Sequence, residues 1–264
     1  MNIEATPEVE PVGTGWIGRV GRLAAPFIGL FLVIGIFTAI EPQAFASVRN
    51  AQTIAVQTVV VGIGAIGMCF VIVSGGIDLS IGSVIALASV TGALTLDAGH
   101  PPTAALAVSA GTGMACGLLN GGLVTALRIP PFIVTLGMLG IARGLAKLLA
   151  GNQRIAPPPE SVGWLEDFVD KTPEPTWLMM TPAAWCLLAT AVIAGLVLRR
   201  TPFGIHVVAI GSSEQTARLC GVAVRRTKIV VYVLCGLGAG LAGAITLGRL
   251  GVGDPTTAVG LELQ

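Results

Sequence analysis

Residues Arg199 to Lys228 read RRTPFGIHVVAIGSSEQTARLCGVAVRRTK, and the rest of the chain is placed from them. The stretch holds six of the fifteen Lys and Arg residues (Arg199, Arg200, Arg218, Arg225, Arg226 and Lys228) and one acid, Glu214. An apolar run long enough to cross a bilayer stands on each side of it. Lys and Arg are retained on the cytoplasmic side of a membrane, so this connection is expected to face the cytoplasm. It also carries the marks of local structure. Gly211-Ser212-Ser213 can open a short helix, with Ser212 or Ser213 as its cap and Glu214 in its first turn. Gly221 can close it. Two readings stand side by side: a basic topology anchor, and a capped helix on a membrane face that a partner can push on.

Hydrophobic residues make up 53% of the 264 and charged residues 11%, which is too apolar a balance for a soluble domain. The mean hydropathy of +0.85 agrees. With 36 glycines, the helices of such a chain can pack closely through small residues. The net charge of +1 leaves no basic surface for nucleic acid. The five cysteines have no metal-type spacing and read as small packing residues, so no metal site is expected.

An all-α polytopic membrane protein with about seven spans follows. Residues 1–23 form a polar cytoplasmic tail, and 24–264 form one transmembrane domain. The spans are expected near 24–40, 54–73, 79–96, 103–127, 132–150, 178–198 and 229–247. Arg19 and Arg22 before the first run and Ala44-Phe45-Ala46 after it outline a cleavable signal peptide. The length of the run and its acidic leader favour a retained span. With the N-terminus inside, inner segments hold nine Lys and Arg residues and outer segments four. The 151–177 connection is net acidic and falls outside, in keeping with this orientation.

Ser74-Gly75-Gly76-Ile77-Asp78-Leu79-Ser80-Ile81-Gly82-Ser83 breaks the helical pattern with two glycines and sets one carboxylate at the edge of an apolar run. A carboxylate there caps a helix, meets a partner or lines water. As a cap, Asp78 would accept from the amides of Ser80 and Ile81. Otherwise it lines a pore or relays an ion, with Ser80 and Ser83 two and five residues further on; Asn120 stands separately, near the end of the fourth span. Arg143 and Lys147 stand four apart on the fifth span and share a face. Lys147 can snorkel outward. Arg143 is deeper, and either packs on backbone carbonyls of a neighbour or contacts a solute. There is no HExxH, GxSxG or GxxxxGK[ST], so no catalytic residue is assigned and ATP hydrolysis by this chain is not expected.

The runs SGGIDLSIGSVIALASV, LLNGGLVTALRIPPFIVTLGMLGIARGLA and TPFGIHVVAIGSSEQTARLCGVAVRRTK resemble the permease subunits of bacterial ABC importers for ribose, xylose, arabinose and related sugars. The likeness runs from about residue 54 to 260. It implies a helical pore in the inner membrane that binds no cofactor itself. It also implies a cytoplasmic ATPase subunit that uses ATP, a periplasmic sugar-binding protein, and a second permease subunit, identical or different. The family's coupling segment resembles GxxExxARLxGI. Here that falls on Gly211, Glu214, Ala217, Arg218, Leu219 and Gly221 together with Ser212 and Ser213, and Val222 replaces Ile. Gly75, Gly76, Asp78, Ser80, Ser83, Asn120 and Arg143 become candidates for the pathway or its helix break. Lys147 stands where relatives are usually apolar. Members of the family usually have about ten spans, so a C-terminally shortened chain is expected. The alternatives are a permease for branched-chain amino acids or nucleosides, or a structural membrane subunit with no pathway of its own.

Overall fold

The computed structural model describes residues 16–169 and 180–261, and side chains from residue 27 onward. Most of the expected tail, part of the 151–177 connection and the start of the sixth expected span lie outside the described residues.

The chain divides at residue 51. The first unit carries α1 (Trp16–Ile40), the short α2 (Pro42–Phe45) and the start of α3 (Val48–Val73). Phe37 and Phe45 stack there with ring centroids 5.5 Å apart. Ser47 starts α3 by accepting from the Asn50 amide at 3.1 Å, so the helix begins six residues before the expected span.

The second unit continues α3 and adds α4 (Ile81–Asp97), α5 (Pro102–Ala126), α6 (Pro131–Leu149), α7 (Pro159–Val162), α8 (Trp164–Val169), α9 (Pro182–Arg200), α10 (Pro202–Ser212), α11 (Glu214–Leu219) and α12 (Val224–Leu250). Among the described residues five helices are long and apolar enough to cross a membrane: α3, α5, α6, α9 and α12. Residues 27–40, α4 and α10 are shorter apolar helices. Four of these helices start with Pro at the first helical position, where its missing amide costs nothing (α5, α6, α9 and α10).

At 17 residues α4 is about 25 Å long, short for a bilayer. It is apolar all round and almost wholly buried, as a helix sheathed by others can be. Its hydroxyls return to its own carbonyls: Ser83 Oγ donates to Ser80 O at 2.7 Å and Ser89 Oγ to Ala86 O at 2.9 Å.

The centre is the pair α5 and α12, joined along a seam of small residues. A Cβ at Gly113 would overlap the Gly236 carbonyl oxygen, one at Gly117 the Tyr232 carbonyl oxygen, and one at Gly240 would lie 2.5 Å from the Ser109 carbonyl oxygen. With no hydrophobic drive between helices in lipid, this close approach supplies dispersion contact instead. On its other flanks α12 meets α3 through Gly67 and α4 through Gly243.

Two segments expected as connections are helical. Thr201 caps α10 by accepting from the Gly204 amide at 3.2 Å, and Pro202 follows it. The basic stretch is therefore not one loop. Arg225, Arg226 and Lys228 form the first turns of α12, which starts five residues before the expected span. In the other segment, Val162 and Leu165 pack on Leu96, Ala105 and Leu247.

At the end of α12 Gly251 adopts φ 64°, and the chain turns back. Gly253 bridges Ile155, and Arg154 meets Asp254 at 2.8 Å. Burial pushes the Asp254 carboxyl up, but hydrogen bonds from Thr256 and the Arg154 guanidinium outweigh it and hold it below the usual range.

Candidate functional site

The α9–α12 corner builds a small capped helix from local rules. Ser213, with φ −160°, is its N-cap, and its Oγ accepts from the Thr216 amide at 3.2 Å. Gly211 and Ser212 belong to the end of α10, so of the two serines, either of which could cap the helix, it is Ser213 that does so. At the other end the Val222 amide reaches the Ala217 carbonyl at 3.0 Å and the Gly221 amide the Arg218 carbonyl at 3.1 Å. Gly221 takes φ 83°, which completes a Schellman stop. Ala217 faces inward against Ile210 and Val224, while Leu219 is 84% exposed.

Glu214 ties this helix down. It accepts from Arg218 at 2.9 Å, one turn on, and from Lys228 on α12. The hydrogen bond from Lys228, with the two cationic charges, holds the Glu214 carboxyl below the usual carboxylate range. The pairing with Lys228, fourteen residues away, is not visible in the helical spacing that joins Glu214 to Arg218.

α10 seats this corner on the helix break. A Cβ at Gly211 would overlap the Val73 carbonyl oxygen at the end of α3. The end of α3 is itself a Schellman stop: the Gly76 amide bonds Val71 O at 2.9 Å, the Gly75 amide bonds Ile72 O at 2.9 Å, and Gly75 has φ 79°. Five residues on, Asp78 is 3% exposed. It is not the N-cap of α4, a position Ser80 holds. Asp78 Oδ1 instead accepts from the Ser80 amide at 2.8 Å and the Ser80 hydroxyl at 2.6 Å, and the Ile81 amide is not a partner. The Ser80 hydroxyl in turn accepts from Asn120 Nδ2 on α5 at 3.0 Å. Cys235 on α12 brings its thiol 3.8 Å from Asp78 Oδ2. The α3–α4 break, α5 and α12 thus meet in one polar knot.

The knot encloses a void of about 10 Å³, far below the ~300 Å³ at which ordinary ligand cavities begin. Asn120 Oδ1 and Tyr232 Oη lie buried beside it without a partner among the described residues. Ser83 bonds only its own helix. Arg143 lies apart from these residues, against the segment that follows α12. Its Nη1 donates to the Pro255 and Thr257 carbonyls at 2.9 Å each. The site candidates therefore form three groups: the α11 corner, the knot at the helix break, and the Arg143 hook.

The sequence profile of the family described as branched-chain amino acid transport system / permease component matches residues 50–264. Relatives include the L-arabinose transport system permease protein AraH of Escherichia coli (strain K12), 36% identical over 237 residues, or 89% of this chain and 69% of the relative. The ribose import permease protein RbsC of Bacillus subtilis (strain 168) is 34% identical over 239 residues, 90% of this chain and 72% of the relative. The autoinducer 2 import system permease protein LsrC of Photorhabdus laumondii is 30% identical over 246 residues, 92% and 71%. No solved structure matches. Since the matched stretch takes in the helix break, the α5–α6 turn and the capped corner alike, the chain belongs to the ABC-importer permease family that includes the arabinose and ribose permeases.

Proposed function

We propose that the chain is the permease subunit through which an importer passes a monosaccharide, a pentose or hexose, across the inner membrane. The observation that carries this is the similarity to arabinose and ribose permeases over about nine-tenths of the chain. On this reading a separate ATPase chain hydrolyses the ATP, a periplasmic binding protein delivers the sugar, and a second permease subunit completes the path. The void at the Asp78 knot is too small for a sugar, which supports a role for the knot in holding the helix break. The α11 end faces the cytoplasm, with the N-terminus on the same side. In support, Arg128, Arg199, Arg200, Arg218, Arg225, Arg226 and Lys228 all lie at that end, where Glu214 pairs with two of them. The profile's own description supports a second solute class, branched-chain amino acids.

The segment from Gly211 through Ser212, Ser213, Glu214, Ala217, Arg218 and Leu219 to Gly221 is the coupling element. Closure of an ATPase dimer is a rigid-body motion, and a capped helix bears force better than an irregular loop. Leu219 offers the partner an apolar contact. The test is uptake of labelled arabinose, ribose and leucine, with ATP turnover followed in the same reconstituted complex. Sugar uptake is expected, and uptake of leucine alone would decide for the second reading. Glu214→Ala with Arg218→Ala is expected to cut uptake at least about tenfold, a loss of roughly 1.4 kcal/mol of coupling, with ATP turnover retained. Unchanged uptake in the double variant would make this stretch a plain topology anchor.

A further inference from the structure

The α11 end of the second unit carries more positive charge than its one carboxylate can use. Between the α5–α6 turn and the start of α12 lies a cleft of about 880 Å³. Arg128, Arg218, Arg225, Arg226 and Lys228 line it, against Glu214. Glu214 is engaged by Arg218 and Lys228. Among the described residues no carboxylate lies within ion-pair distance of Arg128, Arg225 or Arg226. Arg128 stands at the cleft with φ 55°, a backbone state that side-chain-bearing residues rarely adopt. The cleft therefore presents three arginines from two elements with nothing in the described chain to neutralise them.

Two further features say what chemistry fits. The same cleft is lined by Val124, Ile129, Pro130 and Val224, so its floor is apolar. Beside Arg128 and along the start of α6, Leu127, Phe132 and Ile133 are 60%, 49% and 51% exposed. The cleft also sits where α5 ends and α6 and α12 begin, and all three are long and apolar enough to span a membrane. Cations, an apolar floor and an apolar flank at the depth where a spanning helix leaves the bilayer match an anionic amphiphile.

We propose that this cleft holds the headgroup of an anionic phospholipid. Its phosphate lies against Arg128, Arg225 and Arg226, and its acyl chains run along Leu127 and Ile133. A free anion would have no use for the apolar flank. An acidic segment of a soluble partner would reach the arginines from the aqueous side and leave Leu127 and Ile133 to ordinary lipid. The proposal rests on the spanning helices alone. It holds whichever solute the permease carries, so an uptake assay that fails leaves it standing.

The experiment uses the purified chain in a neutral detergent, with phosphatidylglycerol or phosphatidylcholine of identical acyl chains added. Native mass spectrometry counts the retained lipid, and the melting temperature is followed alongside. Phosphatidylglycerol is expected to be retained at about tenfold higher occupancy than phosphatidylcholine and to raise the melting temperature. Arg128→Gln with Arg225→Gln and Arg226→Gln is expected to bring retention down to the phosphatidylcholine level while the lipid-free melting temperature stays unchanged. If the triple variant does not fold, Arg225→Gln and Arg226→Gln are read singly, each expected to lose part of the preference. Equal retention of the two lipids, or a variant that retains phosphatidylglycerol like the parent, overturns the proposal. So does displacement of the lipid by millimolar inorganic phosphate, which would mark a site for free anions. Unaltered lipid retention together with loss of a co-purifying ATPase chain would make the cleft a protein-docking surface and overturn it as well.

Discussion

Asp78 shows how one residue can be right in kind and misplaced in detail. A carboxylate just after two glycines and just before an apolar run is legible as a helix-start device, and it does accept local hydrogen bonds. The sequence does not tell that Ser80 takes the cap position, or that Asn120 and Cys235 close in from other helices. Asn120 is 40 residues from Ser80 and Cys235 157 from Asp78, and no periodicity connects them. Asp78→Asn keeps an acceptor for the Ser80 amide and hydroxyl, and near-normal folded yield is expected by fluorescence-detected size exclusion. Asp78→Leu leaves both donors buried and unmet, at about 1–3 kcal/mol each, and folded yield should fall severalfold. Normal yield of Asp78→Asn with no transport would show that the charge itself is used. Glu214 gives a prediction in pH. Its carboxyl titrates below its unfolded value of roughly 4.3, so its clasp on Arg218 and Lys228 is fully present at neutral pH. The clasp is lost as pH falls through the lowered value. Amide hydrogen-exchange protection over α11, scaled to a free peptide, should drop once pH falls below the ordinary carboxylate range. Glu214→Gln should show the same loss at pH 7.

Among the elements, the long apolar helices were readable because hydropathy and length settle them, and their Pro and Gly boundaries are local chemistry. What escaped was tertiary in origin. α8 forms in a polar connection because Leu165 finds Leu96, Ala105 and Leu247, and the net acidic composition of the stretch hides those contacts. α10 has a legible start signal in Thr201-Pro202, but the six cations around it match a basic connection equally well. The basic first turns of α12 oppose the helix dipole, which is why a loop was the natural expectation for them. The seam between α5 and α12 yields a test with its own control. Gly113→Ala sets a methyl into the Gly236 carbonyl, and the two helices must part. A loss of about 1–3 kcal/mol is expected, read as a lower melting temperature in detergent. Gly122→Ala, on the same helix, meets nothing within 4 Å and should leave stability unchanged or raise it by up to about 1 kcal/mol. Equal effects at both positions would mean that helix propensity, and not the seam, governs α5.

For the second unit as a whole, the two ends are built differently. The end with α4, α5 and α12 closing on α7 and α8 is strapped by the return of the chain after Gly251. Arg154 is mostly exposed, with side-chain accessibility of 71% against 10% for Asp254, so its ion pair is worth no more than about 1 kcal/mol. The Thr256 amide and hydroxyl hold Asp254 from the other side. Arg154→Ala should therefore scarcely change limited proteolysis of residues 251–261, whereas Asp254→Ala should expose them severalfold more. At the other end the described residues show no returning segment of this kind, only the Glu214 clasp, and there Gly211 rests directly on the carbonyl of Val73. Backbone laid on backbone has no rotamer to yield and no cushion to compress. On the proposed coupling role, a push on α11 passes along α10 to the end of α3 through this contact of backbone on backbone, a closeness that depends on the absence of a single methyl group.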